Sequence, residues 1–336
     1  TVTLLHNGTG QTSSETSTLT AGSGITDWGS NPHIIATSAS FDIDTQKPLT
    51  TAVTATPSPI NLTNLALNIQ VTYNEPMNNT VNPVITLNPV NAKFSAGVGN
   101  WDVTNMIYSI IYTHDGTSET NLVGTTVSAN GGKDIKGNTQ TAAGTSGSFV
   151  IDTDRPTAVF INRKNSQYTN GSSVIFLVQF NEQVSAPLST DFTIVPDVGV
   201  LGTFIPIGGI SNPSADNLNY EVVVQFTGGG NGDIRLDLNS SSSSITDFRG
   251  NVLTAGRTGD EVYTVDNTPP VVSTITLPDA DPNNTSSVDF SVVFDSDVTG
   301  VTAGDFAAYG SGGARTSISF LPVSHTTYTV TDSGVT

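Results

Sequence analysis

An internal repeat constrains the fold of this chain more than any other feature. Three segments, FDIDTQKP, FVIDTDRP and YTVDNTPP, share an apolar strand that ends at an Asp and is followed within four residues by a Pro. The Asp residues, Asp44, Asp152 and Asp266, are 108 and 114 positions apart. Proline cannot donate a hydrogen bond to a sheet ladder, so strand pairing ends there and the backbone stiffens. The pattern therefore predicts short, semi-rigid links between repeated β-domains.

Other segments recur in the same order within each repeat. A loop 17 to 19 residues before each Asp reads ITDWGSN, KDIKGN or ITDFRGN, which places Asp27, Asp134 and Asp247 in register. After each link comes a strand with alternating apolar residues, LNIQVTYNEPM, VIFLVQFNEQV or VDFSVVFDSDV. A further strand recurs as IYSIIY, NYEVVV and TYTVTD. Alternation with period two is typical of strands that bury one face.

Charge and composition exclude several classes of function. The chain has 11 basic and 29 acidic residues, a formal net charge of −18. Such a surface repels nucleic acid and anionic lipid and attracts cations. The absence of Cys excludes disulfides and thiolate zinc sites. No apolar run approaches the roughly 20 residues that a membrane-spanning helix needs. We therefore expect neither a nucleic-acid partner nor membrane insertion of this segment.

Each repeat holds about seven short strands with frequent turn signals, a pattern typical of an immunoglobulin-type antiparallel β-sandwich. A barrel is the alternative. The sandwich is favoured because a unit continued through a short Pro link needs its two ends on opposite sides. The prediction is an all-β chain of tandem immunoglobulin-like sandwiches arranged end to end. Its domains are the last part of a repeat (1–48), two complete repeats (49–156 and 157–270) and the first part of a repeat (271–336).

The chain resembles a known family in the segments NEQV…DLNSSSSSITDFRGN…YTVDNTPP and NTSSVDFSVVFDSDVTGVTAGDF. These are similar to bacterial immunoglobulin-like (Big-type) tandem repeats of giant cell-surface adhesins and extracellular appendage proteins. The resemblance implies a structural or adhesive role and an extracellular location, at a cell surface or on an appendage. It also implies calcium at domain junctions.

Carboxylates are predicted to converge at the links. In the repeat after Pro156, the strand count brings Glu182 and Asp247 to the end that holds Asp152 and Asp154. Carboxylates this close repel one another unless a cation neutralises them, and hard oxygen ligands favour Ca²⁺. The corresponding set one repeat earlier is Asp44, Glu75 and Asp134. In the last repeat, Ser296 stands in place of the Glu. The remaining candidate ligands are Asp266, Asp295 and Asp297. The displaced carboxylates either restore the cation site or abolish it. The alternative is that these residues only cap strands and solvate loops.

Catalysis is not expected, since the sequence holds no convergent nucleophile and base. We predict no catalytic residues, and a structural spacer or filament element of an extracellular adhesin. The alternative function is a module that binds a glycan or a protein receptor. Its aromatic candidates, Trp28 and Trp101, lie in different repeats and form no cluster in the sequence.

The two end segments complement each other. Residues 271–336 carry the first part of a repeat, and residues 1–48 carry the last part, with Val2 and Leu4 aligned to Ile234 and Leu236. The chain is then either a window cut from a longer tandem array or a subunit that polymerises. Under both interpretations the expected partner is an adjoining copy of the repeat, which would complete the split domain.

Overall fold

The structure is a computed structural model. It describes residues 15–17, 19–20, 24–33, 37–39, 41–118, 121–197, 203–227, 230–240, 244–278, 285–309 and 317–333. These residues are nearly all β: their only helical elements are two 3₁₀ turns, Ser189–Asp191 and Ala303–Asp305. The alternating strands pair into several mainly antiparallel sheets, as expected for segments with one apolar face. The predicted all-β sandwich class is confirmed.

The unit at 49–156 contains two sheets. One sheet has the order β3-β4-β8-β6, with β7 also paired to β8, and the other has the order β10-β9-β11, with β5 also paired to β9. Their apolar faces form one core, which includes Ile69 from the first sheet and Val127 from the second. The strands are β3 (Thr50–Thr56), β4 (Ala66–Tyr73), β5 (Val84–Asn88), β6 (Phe94–Ala96), β7 (Asn100–Trp101), β8 (Ile107–His114), β9 (Leu122–Asn130), β10 (Gly144–Thr145) and β11 (Phe149–Ile151).

The unit at 157–270 repeats this architecture. Its sheets have the orders β12-β14-β17-β16 and β13-β19-β18-β15. Phe176 and Val222 from the first sheet pack with Leu236 and Tyr263 from the second in one buried core. The strands are β12 (Ala158–Arg163), β13 (Tyr168–Thr169), β14 (Ser173–Phe180), β15 (Phe192–Pro196), β16 (Thr203–Ser211), β17 (Asn219–Thr227), β18 (Gly232–Leu238) and β19 (Tyr263–Val265).

The end segments each contribute one sheet to the described structure. The C-terminal sheet has the order β20-β21-β23-β22, with β20 (Val272–Thr276), β21 (Ser287–Phe294), β22 (Ser317–Pro322) and β23 (Thr327–Ser333). The N-terminal sheet pairs β1 (Glu15–Ser17) with β2 (Phe41–Ile43). Val2 and Leu4 lie outside the described residues.

The two central units contain nine and eight strands, where the sequence predicts about seven. Several of these strands are short: β6, β7, β10 and β13 have two or three residues each. One of them, β13, pairs in parallel with β19. Strands of this length carry too few residues for a periodicity to be recognised in the sequence.

Candidate metal centres at the unit junctions

Three separate parts of the chain meet at the end of the 157–270 unit that faces the preceding link. Asp152 follows β11 directly, at the end of the 49–156 unit. Glu182 comes two residues after β14, and Asp247 lies in the loop between β18 and β19. Both β14 and β18 have alternating buried residues, which hold them in the sandwich and bring their following residues to one end.

The loop that carries Asp247 is shaped by its own side chains. Asp247 Oδ1 accepts hydrogen bonds from the backbone N–H groups of Arg249 (2.7 Å) and Asn251 (2.9 Å), and its Oδ2 accepts one from Asn251 Nδ2 (2.8 Å). Gly250 has φ of +93°, a conformation that glycine adopts without steric cost. Because the aspartate side chain is used to close the turn, its position is set by local structure.

The three carboxylates form a compact group. One oxygen each from Asp152, Glu182 and Asp247 lies within 4.8 Å of the others. Asp152 and Asp247 are only 2% and 3% exposed, so water solvates these charges poorly. A group of acidic side chains in such surroundings is electrostatically unfavourable without a compensating positive charge.

The same arrangement occurs one unit earlier. Asp44, Glu75 and Asp134 also place one oxygen each within 4.8 Å of the others, and Asp134 is fully buried. Asp134 Oδ1 accepts the N–H groups of Lys136 (2.8 Å) and Asn138 (2.9 Å), and its Oδ2 accepts Asn138 Nδ2 (2.8 Å). The two junctions are therefore built from equivalent residues in equivalent loops.

Burial and mutual repulsion change the acidity of both glutamates. Burial, followed by the charges of Asp247, Asp152 and Asp154, raises the pKa of Glu182 to about 7. Burial likewise raises the pKa of Glu75, with further contributions from Asp134 and Asp44. In both clusters the glutamate is destabilised as an anion unless a cation is present.

One side-chain oxygen of each glutamate is also left without a hydrogen bond in the described part of the chain. Glu75 Oε1 and Glu182 Oε1 are buried and have no hydrogen-bond partner among the described residues. Buried polar atoms are nearly always satisfied in proteins. Two equivalent unsatisfied oxygens, each inside a carboxylate cluster, fit a site that binds a cation.

The structure leaves Asp154 outside the close group. Its side chain accepts a hydrogen bond from Ser118 Oγ (2.8 Å) on the preceding unit. It is still near enough to raise the pKa of Glu182. Asp154 thus contributes charge to the second junction, while its described hydrogen bonds tie it to the link.

The third predicted set is not gathered within the described residues. Asp266 accepts hydrogen bonds from Asn231 Nδ2 and the Thr268 N–H, and Asp295 accepts one from the Val271 N–H. Asp297 is exposed and lies 3.7 Å from the ring of His325. The reason is structural: the described residues of 271–333 contain no loop equivalent to the one that carries Asp134 or Asp247.

Asn138 and Asn251 join one unit to the next, a role that their positions in the sequence do not indicate. Asn251 Nδ2 donates to the backbone carbonyl of Asp152 (2.9 Å), and its Oδ1 accepts the N–H of Leu62 (2.9 Å). Asn138 Nδ2 similarly donates to the carbonyl of Asp44 (3.1 Å). The Asn recurs at the same place in each loop sequence, but its spacing does not indicate that it reaches the preceding unit.

The two tryptophans have different environments. Trp101 packs against Tyr73 and Tyr108, with ring centroids 5.7 and 5.3 Å apart, so it belongs to the edge of a core and is no surface platform. Trp28 is fully exposed. Within the described chain, Trp28 makes no ring contact with another aromatic residue.

Comparison with known proteins does not identify a family. No protein-family model and no curated protein sequence matches this chain. A search of the described residues for a helix with the length and apolar character needed to span a bilayer found none.

Proposed function

We propose that this chain is a structural segment of an extracellular adhesin or surface filament, in which calcium ions at the junctions hold consecutive β-sandwiches in a fixed arrangement. The proposal assigns no reaction to the chain. It places the protein outside the cell, where calcium concentrations suit sites of this kind. In an adhesin, rigid junctions would keep the segment extended and present more distal parts of the protein away from the surface.

One observation carries the proposal: the same three-part carboxylate cluster occurs at both junctions. Each cluster takes one Asp from the end of a unit, and a Glu and an Asp from the unit that follows. A cation bound to all three would connect the two units directly. A catalytic site is not expected to recur at both junctions on equivalent strand ends and loops.

The chemistry of the ligands favours calcium over other cations. The clusters offer carboxylate oxygens, with neither Cys nor His among the grouped residues. Oxygen ligands suit Ca²⁺, which accepts a flexible coordination geometry, whereas zinc and other transition metals favour nitrogen or sulfur. When bound, Ca²⁺ supplies the positive charge that the buried aspartates and the unsatisfied glutamate oxygens lack.

Isothermal titration of the metal-free full chain with CaCl₂ tests this proposal. We expect a binding stoichiometry that falls by one ion in Glu75→Gln and by one ion in Glu182→Gln. The change from Glu to Gln keeps the side-chain shape and removes one charged ligand. Thermal unfolding of the wild-type chain should shift to higher temperature on calcium addition, because a ligand that binds only the folded state stabilises it.

Glu221→Gln is the matched control. Glu221 pairs with Lys164 on a sheet surface (2.6 Å) and belongs to neither cluster, so this variant should bind calcium like the wild type. Calcium binding that is equally strong in the Glu75→Gln, Glu182→Gln double variant would contradict the proposal. So would the absence of any calcium-dependent heat or stabilisation in the wild type.

A further inference from the structure

The two junctions differ at one position of the link. At the first junction, which precedes the 49–156 unit, the N–H of Gln46 donates to Asp44 Oδ1 (3.0 Å). At the second junction, which precedes the 157–270 unit, the N–H of Asp154 donates to Asp152 Oδ1 (3.3 Å). Gln46 and Asp154 are therefore equivalent residues. A neutral side chain occupies this position at the first junction, and a carboxylate occupies it at the second.

The carboxylate of Asp154 is fixed at the link. Its Oδ1 accepts the hydroxyl of Ser118 (2.8 Å) on the preceding unit and the N–H of Arg155 (3.2 Å). The residue is half-buried, so solvent screens its charge less than that of a fully exposed carboxylate. The second junction therefore has a fourth negative charge in a defined position beside its three clustered carboxylates.

The charge of Asp154 acts on the cluster. Burial is the main reason that the pKa of Glu182 is raised, and three aspartates add to it: the two of its own cluster and Asp154. At the first junction, burial is again the main cause of the raised pKa of Glu75, but only two aspartates add to it. The glutamate of the second junction thus lies in the more negative surroundings.

Basic residues increase this difference. Together, the link, the junction loop and the glutamate hold three acidic and three basic side chains at the first junction, and four acidic and two basic at the second. These segments are 44–48, 133–138 and Glu75, and 152–156, 246–251 and Glu182. The additional base at the first junction is Lys133, where the second loop has Thr246. Lys93 lies beside the second link, since its Nζ donates to the Ser118 carbonyl (2.6 Å); with Lys93 included, the second junction is still the more negative.

The second junction is also held together by guanidinium groups. Arg155 Nη1 donates to the Val252 carbonyl (2.8 Å), and Arg249 Nη2 donates to Asn121 Oδ1 (3.0 Å) on the preceding unit. Lysines occupy both equivalent positions at the first junction. An ammonium group does not offer the planar set of donors that a guanidinium has. Bonds of this kind hold the ligands of the second junction in place before a cation binds, which lowers the cost of binding.

We propose that the second junction binds calcium more tightly than the first, so that the two junctions become rigid in order as the calcium concentration rises. The inference rests on the proposed function and adds its regulation. The affinity of an oxygen-ligand calcium site depends on the charge of its ligands and on the rigidity of the site, and both favour the second junction. At an intermediate calcium concentration, the chain has one fixed and one flexible junction.

Titration of the two sites one at a time tests the order. The full chain is made metal-free and titrated with CaCl₂ in a calorimeter at constant pH and ionic strength. Glu75→Gln leaves only the second site intact, and Glu182→Gln leaves only the first. We expect the dissociation constant to be roughly threefold to tenfold larger in Glu182→Gln, the effect of one or two additional charges about 10 Å from a divalent ion.

A reciprocal exchange at the link assigns the difference to its cause. Asp154→Gln, made in the Glu75→Gln chain, should weaken the second site. Gln46→Asp, made in the Glu182→Gln chain, should strengthen the first site, a gain that misfolding cannot produce. Glu221→Gln is the matched control in both chains, because it removes one negative charge from a sheet surface outside the junctions and should change neither constant.

The outcomes separate this inference from the proposed function. Equal dissociation constants in Glu75→Gln and Glu182→Gln, or tighter binding at the first junction, would overturn the order while calcium binding itself stands. Exchanges at 46 and 154 that leave both constants unchanged would also overturn it. A wild-type chain that binds no calcium would reject the proposed function, and the order with it. Circular dichroism of each variant confirms its fold before the constants are compared.

Discussion

Glu75 and Glu182 are the acidic residues whose negative charges most clearly lack compensation by neighbouring groups. Each lies two residues beyond an inner strand of its unit, β4 or β14, and each is surrounded by two buried or half-buried aspartates. The aspartates are partly compensated, because their oxygens accept backbone and Asn side-chain hydrogen bonds. The glutamates lack that compensation at Oε1 among the described residues, so they are the groups that respond most to pH and to metal.

A pH dependence follows for the metal-free protein. Folded Glu182 has a pKa of about 7, against an ordinary value of 4.5. Between these values the folded state binds more protons than the unfolded state, so the free energy of unfolding decreases as the pH rises. Urea denaturation across this window should show the decrease, and Glu182→Gln should reduce it. Glu221→Gln should keep the wild-type slope, and an unchanged slope in Glu182→Gln would contradict the assignment.

At the scale of the elements, β14 and β21 are equivalent strands in different surroundings. Their alternating residues align one for one. However, β14 packs between two sheets, whereas β21 lines an apolar cavity. The cost of truncating an aromatic residue depends on how many neighbours it loses. Equivalent substitutions in the two strands therefore measure how complete each sandwich is.

Phe176→Ala should destabilise its unit by about 3–5 kcal/mol, the usual cost of removing a fully buried Phe. Phe290→Ala should cost clearly less, because Phe290 is only partly buried. Hydrogen exchange resolved by segment is the appropriate measurement, since a chain of several units need not unfold in one step. Equal losses of protection in the two units would show that β21 is as enclosed as β14.

At the scale of the whole molecule, the links between units hold both clustered negative charge and direct hydrogen bonds. The chain has a net charge of −18, and two of its densest acidic groups lie where one unit meets the next. Direct hydrogen bonds also cross the second junction, including Arg155 Nη1 to the Val252 carbonyl (2.8 Å) and Arg249 to Asn121 Oδ1. Without a cation, these bonds must oppose the repulsion within each cluster.

Removal of calcium should therefore widen the range of angles between units without unfolding them. Small-angle X-ray scattering of dilute chain should show a narrower distribution of distances with calcium than with chelator. The Glu75→Gln, Glu182→Gln double variant should show little response to either condition, while Glu221→Gln responds as the wild type does. Identical scattering of the wild type in calcium and in chelator would exclude a role for the ion in stiffness.

Much of the fold could be predicted from the sequence because its signals are local. Alternating residues identify the long inner strands, and an Asp followed by Gly or Asn identifies the junction loops. The grouping of Asp152, Glu182 and Asp247 could also be predicted, since the direction of successive strands decides which loops share an end of the sandwich. The same reasoning applied to Asp44, Glu75 and Asp134 because the repeat preserves strand order.

Only the tertiary structure decided the features that depend on distant packing. Trp101 lies against Tyr73 and Tyr108 because two strands meet there, and nothing in its own neighbourhood in the sequence indicates this. The side chain of Asp154 points to Ser118, 36 residues away, a choice of rotamer that no spacing encodes. The short edge strands form because a longer neighbour offers them hydrogen bonds. Periodicity determines which face of a strand is buried, whereas long-range pairing determines what covers that face.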